Sequence, residues 1–324
     1  ATGLVGRHMI HILEERGFGE ETLVPVASER SVGESIPVGG KEFAVVDLAT
    51  ALEAAPDFAL FSAGSEVSKT WANKFSESGT VVIDNSSAWR LDQHTPLIVP
   101  EVNGAWLTGK ERLIANPNCS TIQLMVALAP VHKSLGIRRM VVTTFQSVSG
   151  AGQKGYQQWV DEVQGKEEKT DCLPHPIHGN VIPQCDSFEQ EGFTKEEMKL
   201  IRESKKILND YHILIAPTCT RVPVAVGHSE SVVVETFRPF DMPELLEIFN
   251  KAPGLNLLDK PESMTYPMPL DVAGYDEVFI GRIRRDPTQT HGFHCWIVGD
   301  NLRKGAATNA IQIMEIMLDR QKKR

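Results

Sequence analysis

Cys119 lies in the run Asn116-Pro117-Asn118-Cys119-Ser120-Thr121, and an apolar, helix-like stretch from Ile122 to Leu128 follows at once. Asn, Pro and Ser favour a turn that ends against a new helix, so the sulfur is expected at the positive end of that helix dipole. There the thiolate is favoured over the thiol, and the thiolate is the form that attacks carbon. Backbone N–H groups of the same first turn could hold an oxyanion beside it. A buried cysteine at a helix start is the plain alternative, and on burial statistics alone the commoner one.

The company this cysteine keeps changes the balance. Gln146 sits in Thr143-Thr144-Phe145-Gln146-Ser147-Val148-Ser149-Gly150-Ala151-Gly152. An amide near a strand end, followed by a Gly-rich loop, can orient an acyl group; a solvated strand residue is the alternative. Arg221-Val222-Pro223-Val224-Ala225-Val226-Gly227-His228-Ser229-Glu230 offers a cation and an imidazole on what reads as one strand. Strict alternation puts residues seven apart on opposite faces, and Pro223 and Gly227 mark where a bend or bulge could rotate them together. His228 titrates in the range needed to shuttle protons for a thiol.

Thr194-Lys195-Glu196-Glu197-Met198-Lys199 opens a helix. Thr194 and Glu197 fit a capping box, which leaves Glu196 and Lys199 three apart on one face. They are either a solvated ion pair or a paired receptor for an ammonium and a phosphate. Arg90 follows a Ser86-Ser87 turn and could clamp a phosphate or carboxylate, or make a surface ion pair.

These residues need elements to position them. The first third alternates helix-like and strand-like pieces. A helix opens at Ala1-Thr2-Gly3-Leu4-Val5-Gly6 with an apolar stripe at Met9, Ile12 and Leu13. Strands are expected at Leu23–Ala27, Phe43–Val46, Phe58–Gly64 and Val81–Asn85, with a helix around Thr50–Ala54. Continuous apolar strands separated by helices imply a parallel sheet covered on both faces, a doubly wound nucleotide-binding layout. After the Cys119 helix, Arg138–Val148, Val232–Arg238, Phe279–Arg285 and Gly292–Val298 mix apolar and polar positions as antiparallel strands do, so an α+β domain is expected. Lys304–Arg324 reads as one returning helix, with apolar positions at Ala307, Ala310, Ile311, Met314 and Met317. Its basic end, Arg320 to Arg324, complements the dipole. The expected division is 1–118 plus 301–324 against 119–300. The strand that should precede the glycine motif is absent from the sequence, which is expected to have lost its first several residues.

Gly3-x-x-Gly6 is part of a dinucleotide fingerprint, where glycine lets backbone approach a pyrophosphate; a plain helix start competes with that reading. Ser28-Glu29-Arg30-Ser31-Val32-Gly33 follows the next strand. Its Ser-Arg-Ser cluster suits a 2′-phosphate and so NADP over NAD, with Glu29 tempering the preference. Ser62 would border the cofactor.

The 324 residues are long for a single core. A net charge of −9 argues against a duplex nucleic-acid binder. The apolar runs are too short to cross a bilayer, and the N-terminus lacks a secretory n-region. Five scattered cysteines fit a reducing compartment and a cytoplasmic protein. Cys172, His175, His178 and Cys185 superficially offer metal ligands, but the spacing fits no standard zinc pattern, and no metal is expected.

Taken together, ATGLVG, SERSVG, FSAGS, SSAWR, VPEVN, NPNCSTIQ, FQSVSGAG, EEMK and RVPVAVGHSES stand in an order and spacing that resembles the aspartate-β-semialdehyde dehydrogenase family over nearly the whole chain. PNCST with GHSES is specific; the glycine motif alone is not. The resemblance implies a Rossmann-type domain and a catalytic and dimerisation domain, as in glyceraldehyde-3-phosphate dehydrogenases. It implies NADP(H)-dependent reductive dephosphorylation of 4-phospho-L-aspartate, in lysine (diaminopimelate), threonine and methionine biosynthesis, by a homodimer or a homotetramer built as a dimer of dimers. It makes Cys119 the acyl-accepting nucleophile, His228 the acid/base and Gln146 the residue that orients the covalent intermediate. Arg221 would bind the substrate α-carboxylate and Glu196 its amino group, while Arg90, Asn118 and Lys199 hold phosphate. Thr2, Gly3, Leu4, Val5, Arg30, Ser31, Ser149, Gly150 and Asn301 would contact NADP. The Cys172–Cys185 region is unusual for the family, where it helps form the subunit interface. A sister acyl-phosphate reductase, such as N-acetyl-γ-glutamyl-phosphate reductase or a glyceraldehyde-3-phosphate dehydrogenase relative, and a non-catalytic NADP-sensing protein on the same fold are the competing readings.

Overall fold

The computed structural model describes residues 1–18, 23–166 and 172–322. The chain divides into two compact units, Ala1–Pro117 with Ala306–Arg324, and Asn118–Gly305. The second unit therefore carries Asn118 and residues 301–305, which the sequence reading had placed with the first. Lys323 and Arg324, the last of the expected basic cluster, lie outside the described residues.

In the first unit, helix α1 (Leu4–Glu15) is followed by a hairpin of β1 (Ser35–Val38) and β2 (Lys41–Ala44), then by helix α2 (Leu48–Glu53). Strand β3 (Phe58–Phe61), helix α3 (Ser65–Glu77), strand β4 (Val81–Asp84), the short helix α4 (Pro100–Asn103) and strand β5 (Leu113–Ala115) follow. β3, β4 and β5 form a parallel sheet in that order. Parallel strands need crossovers that cover their faces, so the strands read as continuous apolar runs; Val81, Val82 and Ile83 are all fully buried.

One face packs Val81 and Ile83 against Met9 and Ile12 of α1 and against Ile311, Met314 and Met317 near the C-terminus. The other packs Val82 against Ala72 and Phe75 of α3. Two expectations fail here. Leu23–Ala27 is not a strand but a single bridge, Val26 to Val46. The strand expected at Phe43–Val46 starts two residues earlier and pairs with Ser35–Val38 across Gly39-Gly40, a hairpin whose turn signal is in the sequence.

The second unit opens with helix α5 (Cys119–Leu135), then strand β6 (Ile137–Gln146), helices α6 (Gly152–Val163) and α7 (Lys195–Leu208), and strands β7 (Leu214–Arg221) and β8 (His228–Thr236). Helix α8 (Met242–Asn250), strand β9 (Leu255–Leu257), the short helix α9 (Pro269–Val272), and strands β10 (Val278–Arg285) and β11 (Gly292–Gly299) complete it. Among the described residues its sheet has six strands in the order β7-β6-β8-β11-β10-β9. The sheet is mixed: β6 pairs antiparallel with β8 but parallel with β7, and β9 runs parallel to β10. The antiparallel pattern expected from composition describes the β6–β8–β11–β10 centre only. Helix α5 is buried along almost its whole length, because α7 and α8 pack beside it and the sheet lies beneath.

The C-terminal segment returns to the first unit, with a π-helical stretch (Arg303–Ala307) before helix α10 (Thr308–Lys322), so the expected single helix starts later than Lys304. Among the described residues, no helix is long and apolar enough to cross a membrane.

Leu124 is fully buried on α5. Leu124→Ala should lower the unfolding free energy by about 3 kcal/mol, from the lost transfer energy and the cavity left behind, measured by urea denaturation.

Candidate active site

Asn118 is the N-cap of α5. Its Oδ1 accepts from the backbone N–H of Ser120 at 3.0 Å and of Thr121 at 3.3 Å. Cys119 is thus the first helical residue; it is a half-buried, reduced thiol. The cap engages two of the first-turn N–H groups, those of Ser120 and Thr121. The backbone N–H of Asn118 donates to Glu203 Oε2 at 2.7 Å, and its Nδ2 donates to Glu196 Oε1 at 2.8 Å. Glu196 and Glu203 are two helical turns apart on α7, so one helix face offers both carboxylates to the start of α5.

Glu196 is a hub. Besides Asn118 it accepts from Gln146 Nε2 at 3.2 Å and from Lys199 Nζ at 3.0 Å. Burial opposes its ionisation, but Lys199, the Asn118 amide and Arg221 outweigh this and hold its carboxyl below the usual range. Lys199 also bonds Asp186 at 2.9 Å; burial works against its charge, and the two carboxylates nevertheless raise its pKa. Glu196 is buried and Lys199 half-buried, and the two are bonded into a network with Asn118, Gln146 and Asp186, so they are not simply a solvated ion pair. The Thr194–Glu197 capping box forms as expected, and Glu197 also accepts from the Cys219 N–H at 3.0 Å. Gln146 is not solvated; it is buried at the end of β6.

Arg221 and His228 do not share a strand. Arg221 ends β7 and His228 begins β8, with the turn at 222–227 between them. Gly227 in that turn has φ +95°, a conformation that L side chains rarely adopt, and its N–H donates to Asn301 Oδ1 at 2.9 Å. The chain reversal brings the two residues together where alternation along one strand would have kept them apart.

Arg221 Nη1 donates to the Ser147 carbonyl at 2.7 Å. His228 Nδ1 accepts from the Ser147 backbone N–H at 3.1 Å, and Gln123, one turn beyond Cys119, donates to the His228 carbonyl at 3.3 Å. Burial first, and Arg221 second, push the imidazole down to about 3, with Glu196 opposing. Two buried donors, Arg221 Nε and His228 Nε2, find no acceptor in the protein. Leaving such groups unsatisfied is costly, so both point to a polar ligand. Gly150 stands against them: a Cβ there would lie 2.7 Å from Arg221 Nη1 and 2.9 Å from His228 Nε2.

Ser149 and Asn301, expected at the cofactor, are buried and bonded to each other at 3.0 Å. In the first unit, Arg90 is buried and donates to the Asn116 carbonyl at 2.9 Å and the Asn85 carbonyl at 2.8 Å, which rules out a surface ion pair. Asp84 shapes this turn by accepting from Ser68 and Ser86. Gly3 is the N-cap of α1 and has no side chain to cap the first-turn N–H groups. Thr2, Gly3, Leu4 and Val5 lie around that turn. Arg30 and Ser31 form a 3₁₀ turn after Ser28, with Arg30 exposed, and exposed Ser62 follows β3. An uncapped helix start and an outward guanidinium fit the phosphates of a dinucleotide.

Among the described residues, no group of three His, Cys, Asp or Glu side chains could hold a metal ion. Cys172 is exposed, and burial pushes the Cys185 thiol up to about 12. The sequence reading missed Asp186, Glu203, Ser147 and Gln123. Helical spacing could have found Glu203, seven residues after Glu196, and Gln123, four after Cys119; Asp186 and the Ser147 backbone carry no local signal.

Gly150→Ala would drive a methyl group into Arg221 and His228. It should reduce kcat/KM about 100-fold while the circular dichroism melt stays near wild type, since a misplacement of about 1 Å has that effect on rate.

The profile described as "Semialdehyde dehydrogenase, NAD binding domain" matches residues 1–109, and "Semialdehyde dehydrogenase, dimerisation domain" matches 128–304. The aspartate-semialdehyde dehydrogenase of Aquifex aeolicus is 48% identical over 98% of this chain and 96% of its own, and that of Bacillus subtilis 43% over 97% and 94%. A crystal structure of aspartate semialdehyde dehydrogenase II from Vibrio cholerae aligns with TM-score 0.93 and 43% identity, covering 98% of this chain and 96% of its own; a second structure of that protein is complexed with ASA. With Cys119 at the start of α5 and the paired donors of Arg221 and His228, these matches establish that the chain belongs to the aspartate-semialdehyde dehydrogenase family.

Proposed function

We propose that the protein is an oxidoreductase that converts 4-phospho-L-aspartate to L-aspartate 4-semialdehyde, using NADPH and a thioester on Cys119, in the biosynthesis of lysine, threonine and methionine. The observation that carries this reading is the pair of buried, unsatisfied donors, Arg221 Nε and His228 Nε2, in the unit whose α5 presents the thiol. The names of the relatives support the substrate.

In this mechanism the Cys119 sulfur attacks the acyl carbon. Arg221 takes the α-carboxylate and Glu196 the ammonium, which together place the carbonyl over the sulfur. Gln146, tied to Glu196, orients the acyl group. Arg90, Lys199 and Asn118 receive the phosphate; one hydrogen of the Asn118 amide goes to Glu196, and the other serves the phosphate. The nicotinamide, when bound, supplies the hydride that reduces the thioester. Thr2, Gly3, Leu4 and Val5 hold the pyrophosphate; Ser28, Arg30 and Ser31 hold the 2′-phosphate; Ser62, Ser149, Gly150 and Asn301 contact the rest of the cofactor. His228 assists at the carbonyl oxygen as the aldehyde is released.

The protein works as a homodimer or a dimer of dimers in the cytoplasm. The dimerisation-domain match supports assembly, as does the half-buried sheet face carrying Val141, Phe145, Val233 and Trp296.

Cys119→Ser should abolish phosphate-dependent reduction of NADP by L-aspartate semialdehyde, by at least about 10³-fold, with peptide 116–125 gaining an acyl mass in the wild type during turnover. Turnover with that peptide unmodified would end the proposal. Arg30→Ala should raise KM for NADP about tenfold and leave KM for NAD near its original value, read from initial rates with each cofactor. Glu196→Ala should lower kcat/KM for the aspartyl substrate; normal turnover would refute the ammonium assignment.

A further inference from the structure

We propose that Asp186 is a positioning residue that competes with phosphate for Lys199: its carboxylate holds the ammonium until phosphate arrives, then turns out to solvent, and so sets how tightly phosphate binds. The inference rests on the assignment of Lys199 to phosphate made above.

Lys199 Nζ donates to Asp186 Oδ2 at 2.9 Å and to Glu196 Oε2 at 3.0 Å. An ammonium has three hydrogens, so a third acceptor can be taken. A phosphate dianion accepted there would stand within about 5 Å of both carboxylates, where like charges repel. One carboxylate has to yield, and the two are not equally free to do so.

Glu196 is fixed. Its side chain is 8% exposed, and it also accepts from Asn118 at 2.8 Å and from Gln146 at 3.2 Å. Turning it away would take the acceptor from two buried donors, which is costly. The Asp186 side chain is 37% exposed, so it can exchange the lysine for water. Its other oxygen makes a local contact, accepting from the N–H of the next residue, Ser187, at 2.8 Å. Burial opposes the ionisation of Asp186, but the bond to Lys199 and the charge of that lysine outweigh it and hold the carboxyl below the usual range.

The backbone under Asp186 is anchored on both sides, so the side chain can swing without the segment leaving its place. Ile182 pairs with Arg221 through two backbone bonds, at 3.0 and 2.8 Å, and the Ser187 carbonyl accepts from the Lys195 N–H at 2.8 Å. Asp186 itself has φ +69°, a left-handed conformation uncommon for a residue with a side chain. Such conformations persist only where the surroundings enforce them, and they concentrate at ligand sites. Throughout the exchange Lys199 keeps two anionic partners, Glu196 and either Asp186 or phosphate. It is never left as an unpaired, half-buried cation.

Initial rates of NADP reduction by L-aspartate semialdehyde at varied inorganic phosphate test this. Asp186→Asn keeps the shape and tolerates the left-handed backbone but loses the charge. It should lower KM for phosphate about threefold or more, with KM for the semialdehyde and for NADP unchanged. A side chain with a structural duty alone would give the opposite sign, a raised KM. Asp186→Gly also suits the backbone and removes the carboxylate, so it should lower KM for phosphate too, and it serves if the Asn variant folds poorly. In Lys199→Ala, KM for phosphate should rise, and adding Asp186→Asn should change it no further, because the competition needs both partners.

An unchanged or raised KM for phosphate in the Asp186 variants, with Lys199→Ala still weakening phosphate, overturns this inference alone. If Lys199→Ala leaves KM for phosphate untouched, the assignment of Lys199 falls and the inference falls with it.

Discussion

The side-chain oxygen of Asn118 closing the first turn of α5 is the contact on which the rest of the second unit's chemistry depends. It fixes where the helix begins, and hence that Cys119 is the first residue to feel the dipole. Through its amide and its backbone N–H, the same residue ties α5 to Glu196 and Glu203 on α7. Glu196 passes the constraint to Gln146 on β6 and Lys199. One short polar side chain thus sets the register between a helix, its neighbour and a strand end.

The other half of the site is built by chain reversal. β7 and β8 flank β6 on opposite sides, so their adjoining ends, Arg221 and His228, meet at the end of β6 where Ser147 begins the next turn. Ser147 contacts both through its main chain, accepting from one and donating to the other. Backbone groups have fixed donor and acceptor character, which makes this an unambiguous way to orient two ionisable side chains.

Much of this was legible in the sequence, and the limits have physical causes. The Asn- and Pro-containing turn before Cys119 and the capping box at Thr194 are local signals, and α5 and α7 start just after them. The apolar runs at Phe58 and Val81 gave the parallel sheet, because strands covered on both faces have no polar alternation. Arg221 to His228 was misread as one strand because Val222, Val224, Ala225 and Val226 look like strand residues, while the turn they make is held by bonds to Gln146 and Asn301, remote in sequence. Leu23–Ala27 failed for the converse reason: its apolar content is real, but its pairing reduces to one bridge. The roles of Asp186 and Ser147 depend on tertiary proximity alone.

Glu196, Glu203 and Asp186 surround Asn118 and Lys199, so the lysine is paired within the protein before anything else binds. Glu196 and Asp186 already satisfy Lys199, so in its proposed phosphate role that cation would be contested by resident acids. Such internal stand-ins weaken the grip on the departing anion as much as on the arriving one. In the proposed reaction, which releases inorganic phosphate in every cycle, that loosened hold would favour turnover.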